Sequence, residues 1–537
     1  MKKLGKKFWI AMTLFGLIGQ VAWVVENMYL NVFIYKMFHA QPADISLMVG
    51  ASAVAATVTT ILMGALSDHI GKRKIFMCGG YFAWGISILA FGFIRMDLLT
   101  PICGSTVVAA GLGIHLVIAL DCMMTFFGSS ANDAAYNAWL TDHGDESNRG
   151  KIEGINAMMP LLSTLFVFGG FMGFDLQQPD SWTVIYIMIG AVVFFVGVLG
   201  VFLIEEAKVQ VRERHEKEAY WQNVIYSFRM TTFRDHKLLY AVIGTFALFC
   251  ISIQTFMPYL IVYYEKTLRM TNYVILFAPA IVIAAVVTAI YGSLYDQLKF
   301  QKSVIPVVGM LLGGYIILLF TETTVPVFIG TVLMLSGYLS GMAVFGAKIK
   351  EHIPENMAGR FQGIRMIGQV LVPGVIGSAI GAFSLRNATQ ILNSDGTYSF
   401  LPNKNIWVAA ILTALVLSMA LWGLFLMIRK GHYELWTEAG ERVKKERAAQ
   451  TDYKSWDCYP RPQMKRESYV MLNKNWSLNG RPITVPFPPQ AALADYPYKV
   501  GSKLIYEIKC TPCQGHLVFY FPKIWTLSFS RIPGFVQ

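Results

Sequence analysis

Long apolar stretches separated by short polar breaks fill the first 428 residues. A helix needs about 20 mostly apolar residues to cross the hydrocarbon core of a bilayer. Twelve runs reach that length, at 8–35, 46–67, 75–94, 104–139, 154–174, 183–204, 238–262, 273–294, 303–320, 325–347, 363–383 and 405–428. The fourth run is overlong, and Gly128 with Ser129 and Ser130 predicts a kink within it. The first is interrupted by Gln20, Glu26, Asn27 and Asn31, so it reads as a span and not as a cleaved leader. From Arg429 onward the pattern stops, and Pro, Lys and Asn are scattered throughout.

Composition agrees with this division. Hydrophobic residues make up 55% of the chain and charged residues 15%, against about 25% charged in ordinary soluble domains, which excludes a water-soluble globule. Of the net +12, the segment from Arg429 holds 17 Lys/Arg and 9 Asp/Glu, or +8, and the remainder 28 and 24, or +4. No basic stripe suggests nucleic acid. The seven cysteines show no framework spacing. The positive-inside rule orients the spans. With the N-terminus inside, 22 of the 28 basic residues lie on the inner side, among them Lys72, Arg73, Lys74, Lys348 and Lys350. Only Lys36, Arg95, Lys266, Arg269, Arg386 and Lys404 lie outside. Both termini are therefore expected to be cytoplasmic, in a multi-pass protein of the cell membrane.

The chain repeats itself. After the second run stands Gly64-Ala65-Leu66-Ser67-Asp68-His69-Ile70-Gly71-Lys72-Arg73-Lys74, and after the eighth stands Gly292-Ser293-Leu294-Tyr295-Asp296-Gln297-Leu298-Lys299. Before the fifth run lies Gly150-Lys151-Ile152-Glu153-Gly154-Ile155, and before the eleventh lies Gly359-Arg360-Phe361-Gln362-Gly363-Ile364. Matched motifs at matched places predict an all-α membrane protein of twelve spans in two pseudo-symmetric six-helix bundles. The bundles occupy 1–204 and 238–428, and a mixed-charge linker occupies 205–237.

The loop from Gly64 to Lys74 resembles the signature of the major facilitator transporters, with His69 where a basic residue is usual. The resemblance covers residues 1–428. It implies that Asp68, Lys72, Arg73 and Asp296 latch one gate. Gly64 permits close helix approach, as small residues do in membranes, and Gly71 belongs to the same motif. The stretch Asn132-Asp133-Ala134-Ala135-Tyr136-Asn137-Ala138-Trp139-Leu140-Thr141-Asp142 is similar to the end of span four in the glycoside, pentoside and hexuronide cation symporters. That likeness implies that Asp133 contacts a sugar. The second run lacks the acid that melibiose-type members carry there.

Ionisable groups at mid-bilayer cost roughly 2.5–3.5 kcal/mol on insertion scales and mark functional cavities. Three acids lie inside the spans: Glu26, Asp121 and Asp133. On a helical wheel Gln20, Trp23, Asn27 and Asn31 share one face, with Glu26 at its edge. Asp121, Thr125, Asn132, Tyr136 and Trp139 form a second stripe, with Asp133 at its border. Gln254 and Gln369 are the candidates from the second half, and Tyr259, Tyr263, Tyr291 and Tyr338 read first as packing. Carboxylates, amides and an indole face suit a polyhydroxylated ligand, and Glu26 or Asp121 can also carry a coupling proton. His115 reads as a buried packing residue.

From Tyr459 to Lys509 the chain resembles the N-terminal sugar-binding sandwich of glycoside hydrolase family 2, behind a linker at 429–458, with Lys503–Ile508 as a strand. That family's catalytic barrel is absent, and the segment 459–537 is expected to be a poorly ordered cytoplasmic appendage without the paired carboxyls that glycoside hydrolysis needs. Cys510, Cys513 and His516 are too few for a closed zinc site, and no nucleotide-binding glycine loop is present. The reading is a monomeric secondary transporter of a sugar or glycoside, working in a lipid membrane without cofactor and coupled to a proton or sodium. The alternatives are a facilitator of another solute, a drug or organic acid, and a membrane-tethered glycosidase fragment.

Overall fold

The computed structural model describes residues 4–144, 148–206, 229–270, 272–353, 358–393 and 396–451, with short strand segments between 469 and 522. Among the described residues, 12 helices are long and apolar enough to cross a membrane. They are α1 (Lys6–Phe38), α2 (Pro42–Gly64), α3 (Arg73–Phe91), α4 (Thr106–His143), α5 (Gly154–Phe171) and α6 (Pro179–Leu203), followed by α7 (Lys237–Thr267), α8 (Tyr273–Tyr295), α9 (Gln297–Phe320), α10 (Thr324–His352), α11 (Gly363–Ser384) and α12 (Asn405–Arg429). Large apolar side chains turn outward from them: Phe166 is 71% and Phe202 73% exposed. In water that surface would drive aggregation; in lipid it is solvated.

Within the first bundle, α3 and α6 cross at their glycines. A Cβ added to Gly85 would lie 2.7 Å from the Gly190 carbonyl oxygen, so only glycine permits this approach. Several helices are locally widened or broken. α1 opens into a π turn at Val25–Leu30, α4 at Ser129–Tyr136, and α11 at Ile367–Leu371 and again at Pro373–Gly377. The expected kink after Gly128 is thus a continuous helix with a wider turn. α7 breaks at Met257–Tyr259, where Pro258 removes a backbone donor.

Two features lay beyond the pattern of apolar runs. Between α11 and α12 the chain forms a hairpin, β1 (Thr389–Leu392) antiparallel to β2 (Tyr398–Leu401), turning through Gly396 at φ 81°. The helix that contains α12 does not stop at 428 but continues as Asn405–Thr451. The helix-forming Glu, Lys, Arg and Ala of 434–449 sustain it into the segment expected to be a linker.

By compactness the chain divides into Met1–Phe425 and Leu426–Gln537. The second unit holds β3 (Ala491–Leu493), β4 (Tyr498–Val500), β5 (Lys503–Cys510) and β6 (Gly515–Pro522), with β5 antiparallel to all three. Of the expected linker at 205–237, residues 207–228 lie outside the described residues, as do the side chains of Asp68 and Asp296, and Met230–Asp235 form a short helix.

Candidate functional site

A cluster of oxygen side chains lies where α1, α2 and α4 meet. Ser52 Oγ donates to Glu26 Oε1 at 2.9 Å, and Thr125 Oγ1 donates to the same oxygen at 3.0 Å. The two hydroxyl oxygens are 2.8 Å apart. Asp121, one turn before Thr125 and 1% exposed, is near enough for the two carboxyls to act on each other. Glu26 Oε2 and Asp121 Oδ1 have no hydrogen-bond partner. A cavity of about 10 Å³ lies against Glu26 and Tyr186, whose hydroxyl is also unpartnered. That is room for one water-sized particle. Two neighbouring buried carboxyls with no basic partner among the described residues cannot both stay ionised unless a cation sits between them; otherwise they hold at least one proton.

An accessible polar stripe runs beside this cluster. On α1, Asn27 is exposed, and Gln20 and Trp23 are half-buried. On α4, Asp133 is half-buried and accepts from Ser129 Oγ at 3.0 Å. In the second bundle Gln254 and Gln369 are half-buried, and Gln369 Oε1 accepts from Arg365 Nε at 3.3 Å.

Other expected ligands pack inside the bundle instead. Asn31 is 1% exposed and donates to the Asn27 carbonyl. Asn132, 2% exposed, donates to Tyr81 Oη at 2.7 Å, and Tyr81 in turn donates to the Phe15 carbonyl. Tyr136 Oη reaches the Met12 carbonyl at 2.9 Å, and Trp139 Nε1 donates to the Glu205 carbonyl. A wheel finds a polar stripe but not which neighbour satisfies it, and the π turn after Gly128 changes the phase on which the wheel relied. His115 is exposed, not buried, and its Nδ1 lies 2.7 Å from the Gly111 carbonyl.

Among the described residues, the expected gating loop ties the first bundle to itself. Gly71 caps its helix in the left-handed conformation, φ 70°, and Lys72 is the cap residue of α3. Arg73 Nε donates to Asp142 Oδ2 at 3.0 Å and Nη1 to Ser67 Oγ at 2.6 Å. The Glu206 carboxylate accepts the backbone N–H groups of Arg73 and Lys74, where the helix dipole favours an anion. Gly64 has only the Ala134 Cβ within 4 Å of an added Cβ, at 3.9 Å.

At the face opposite the N-terminus the two bundles are joined. Lys36 Nζ pairs with Glu265 Oε2 at 2.7 Å, and Gln177 Nε2 donates to Glu265 Oε1 at 2.8 Å. The hairpin lies over the ends of α1 and α2: Tyr35 Oη donates to the Phe400 carbonyl, His39 Nδ1 meets Ser399 Oγ, and Gln41 Nε2 donates to the Tyr398 carbonyl. Tyr259 Oη donates to the Pro42 carbonyl, and Phe168 stacks on Phe277 at 5.7 Å. Where α2 crosses α11, a Cβ on Gly374 would come within 2.3 Å of Ala53 Cβ.

Two six-helix halves, joined at one face and lined elsewhere by accessible polar groups beside sealed carboxyls, define a membrane transporter. The chain belongs to the Major Facilitator Superfamily, whose sequence model matches residues 8–378. An uncharacterised MFS-type transporter of Methanocaldococcus jannaschii is 23% identical over 365 residues, covering 66% of this chain and 85% of that protein. Three solved structures share the fold. A bacterial homologue of the human lysosomal transporter Spinster aligns with TM-score 0.58 and 13% identity, covering 80% of this chain and 98% of that one. A nucleoside transporter aligns at 0.60 and 10%, covering 78% and 99%, and a D-xylose–proton symporter at 0.59 and 14%, covering 76% and 96%. The protein is a transporter of small molecules and not an enzyme.

Proposed function

We propose that this protein is a secondary active transporter of a sugar or glycoside, driven by a proton or sodium gradient and working by alternating access. The observation that carries the reading is the buried pair Glu26 and Asp121, with Ser52 and Thr125 both donating to Glu26, set beside the more accessible residues Gln20, Asn27 and Asp133. Such a pair changes protonation or cation occupancy as its surroundings change, and that is the switch a coupled carrier requires. The amides and Asp133 offer paired donors and acceptors to hydroxyl groups, and Trp23 offers a ring face. The likeness of Asn132–Asp142 to glycoside and hexuronide symporters supports the same cargo, as does the resemblance of residues 459–509 to a glycosidase sugar-binding domain. The lysine-rich face is assigned to the cytoplasm by the charge bias of its loops.

Uptake into proteoliposomes under an imposed proton or sodium gradient tests this. Glycoside accumulation that follows one gradient and is lost in Glu26→Gln, with downhill exchange retained, is the expected result. Accumulation of a non-sugar solute with no response to any glycoside would overturn it.

A further inference from the structure

We propose that Ser52 on α2 is a positioning residue that ties protonation of Glu26 to the packing of α2 against α11, so that a proton taken up in the first bundle closes the seam between the halves; this rests on the coupled-carrier reading above. Ser52 Oγ, Thr125 Oγ1 and Glu26 Oε1 form a triangle with edges of 2.8, 2.9 and 3.0 Å, all of hydrogen-bond length. Two hydroxyls bring only two hydrogens. When both point at a carboxylate, the hydroxyl oxygens face each other at 2.8 Å with no hydrogen between them. A proton on Oε1 supplies the third hydrogen. The acid then donates to one hydroxyl, that hydroxyl to the other, and the second back to the acid, so each oxygen gives one hydrogen bond and takes one. The closed triangle is therefore the geometry of the protonated acid, and loss of the proton leaves the edge between Ser52 and Thr125 repulsive.

Ser52 stands where that change is passed on. Among the described residues it is the α2 side chain that hydrogen-bonds to Glu26, and Asp121 lies within reach of the same hydroxyl. The next residue, Ala53, is turned about 100° round the helix and meets Gly374 of α11 so closely that no Cβ fits there. Gly50 and Ser46 share that face: a Cβ on Gly50 would lie 3.8 Å from the Val375 Cα, and Ser46 Oγ donates to Ser378 Oγ at 3.1 Å. One rigid helix thus has the acid on one side and the opposite bundle on the other, and a crossing this close cannot absorb a sideways shift of Ser52. The other titratable groups that face the pair, among the described residues, are Cys122 and Asp133 on α4 and Tyr186 on α6.

The test measures the spacing of spin labels at Ala43→Cys and Phe383→Cys, exposed positions near the ends of α2 and α11 at the face opposite the N-terminus. It uses the full-length protein in lipid, lacking native cysteines, across a pH series. Because the proton favours the docked seam, raising the pH should raise the ratio of separated to docked populations by about three- to tenfold per pH unit, tenfold being the limit for one proton. Glu26→Gln should stay docked throughout. Ser52→Ala should flatten the series, and Ser52→Thr, which restores the hydroxyl, should keep it; a merely structural serine would change the spacing without changing its response to pH. A Ser52→Ala series as steep as that of the wild type, or a wild-type spacing that ignores pH or follows sodium instead, would overturn the proposal while leaving gradient-driven accumulation standing. Absence of glycoside accumulation by the wild type in proteoliposomes under either gradient would overturn both.

Discussion

Lys36 Nζ and Glu265 Oε2 lie 2.7 Å apart across the seam between the two bundles, with side chains only 4% and 11% exposed. One residue belongs to α1 and the other to α7, the first helix of each half, so the pair must separate whenever this face opens. Gln177 holds the second carboxylate oxygen.

Removing one partner of a buried ion pair costs about 3–5 kcal/mol, because the other charge is stranded. Here the penalty falls on the closed state alone. Glu265→Gln is expected to open this face, raising maleimide labelling of an Asn27→Cys reporter from that side by tenfold or more. The charge-swapped double variant Lys36→Glu/Glu265→Lys should restore slow labelling, and equal labelling in all three proteins would refute the assignment.

The hairpin bridges the halves through Gln41 and Tyr398. With Cys at both positions, in a background lacking native cysteines, oxidation is expected to stop transport and a reductant to restore it. Transport that continues after complete cross-linking would show that the hairpin does not move with the gate.

Glu26 and Asp121 form one unit, so their effects should not add. Glu26→Gln and Asp121→Asn are each expected to abolish gradient-driven accumulation, and the double variant to be no worse than either. Counterflow should fall only a few-fold in all three. Additive losses would place the two carboxyls in separate roles.

Gly374 meets Ala53 at the crossing of α11 and α2. Gly374→Ala forces an overpacked contact costing about 1–3 kcal/mol, to be read as a lower melting temperature. Ala53→Gly in the same chain should recover most of it, since the clash is with that one methyl group.

Arg73 is 8% exposed and paired with Asp142. Asp142→Asn removes one of the partners of this cation, with an expected loss of about 3 kcal/mol or less in thermal stability of the first bundle. Glu206→Gln removes only a dipole-matched cap, worth about 0.3–1 kcal/mol. A larger effect from Glu206→Gln than from Asp142→Asn would reverse this ordering.

The apolar runs by themselves determined the twelve spans, because bilayer thickness leaves a backbone few ways to cross it. The repeated loop motifs determined the two-half plan, and residue type alone picked out Glu26, Asp121 and Asp133 as groups too costly to be idle in lipid. Only the tertiary structure decided that Asn132 and Tyr136 brace the bundle while Asp133 stays accessible, because a helical wheel holds no record of the neighbours or of the π turn that shifts its phase. The Lys36–Glu265 lock and the hairpin strap were equally hidden. Their partners lie more than 200 residues apart in sequence, at Lys36 and Glu265 or at Gln41 and Tyr398, and no local pattern carries a contact that exists only when the two halves close.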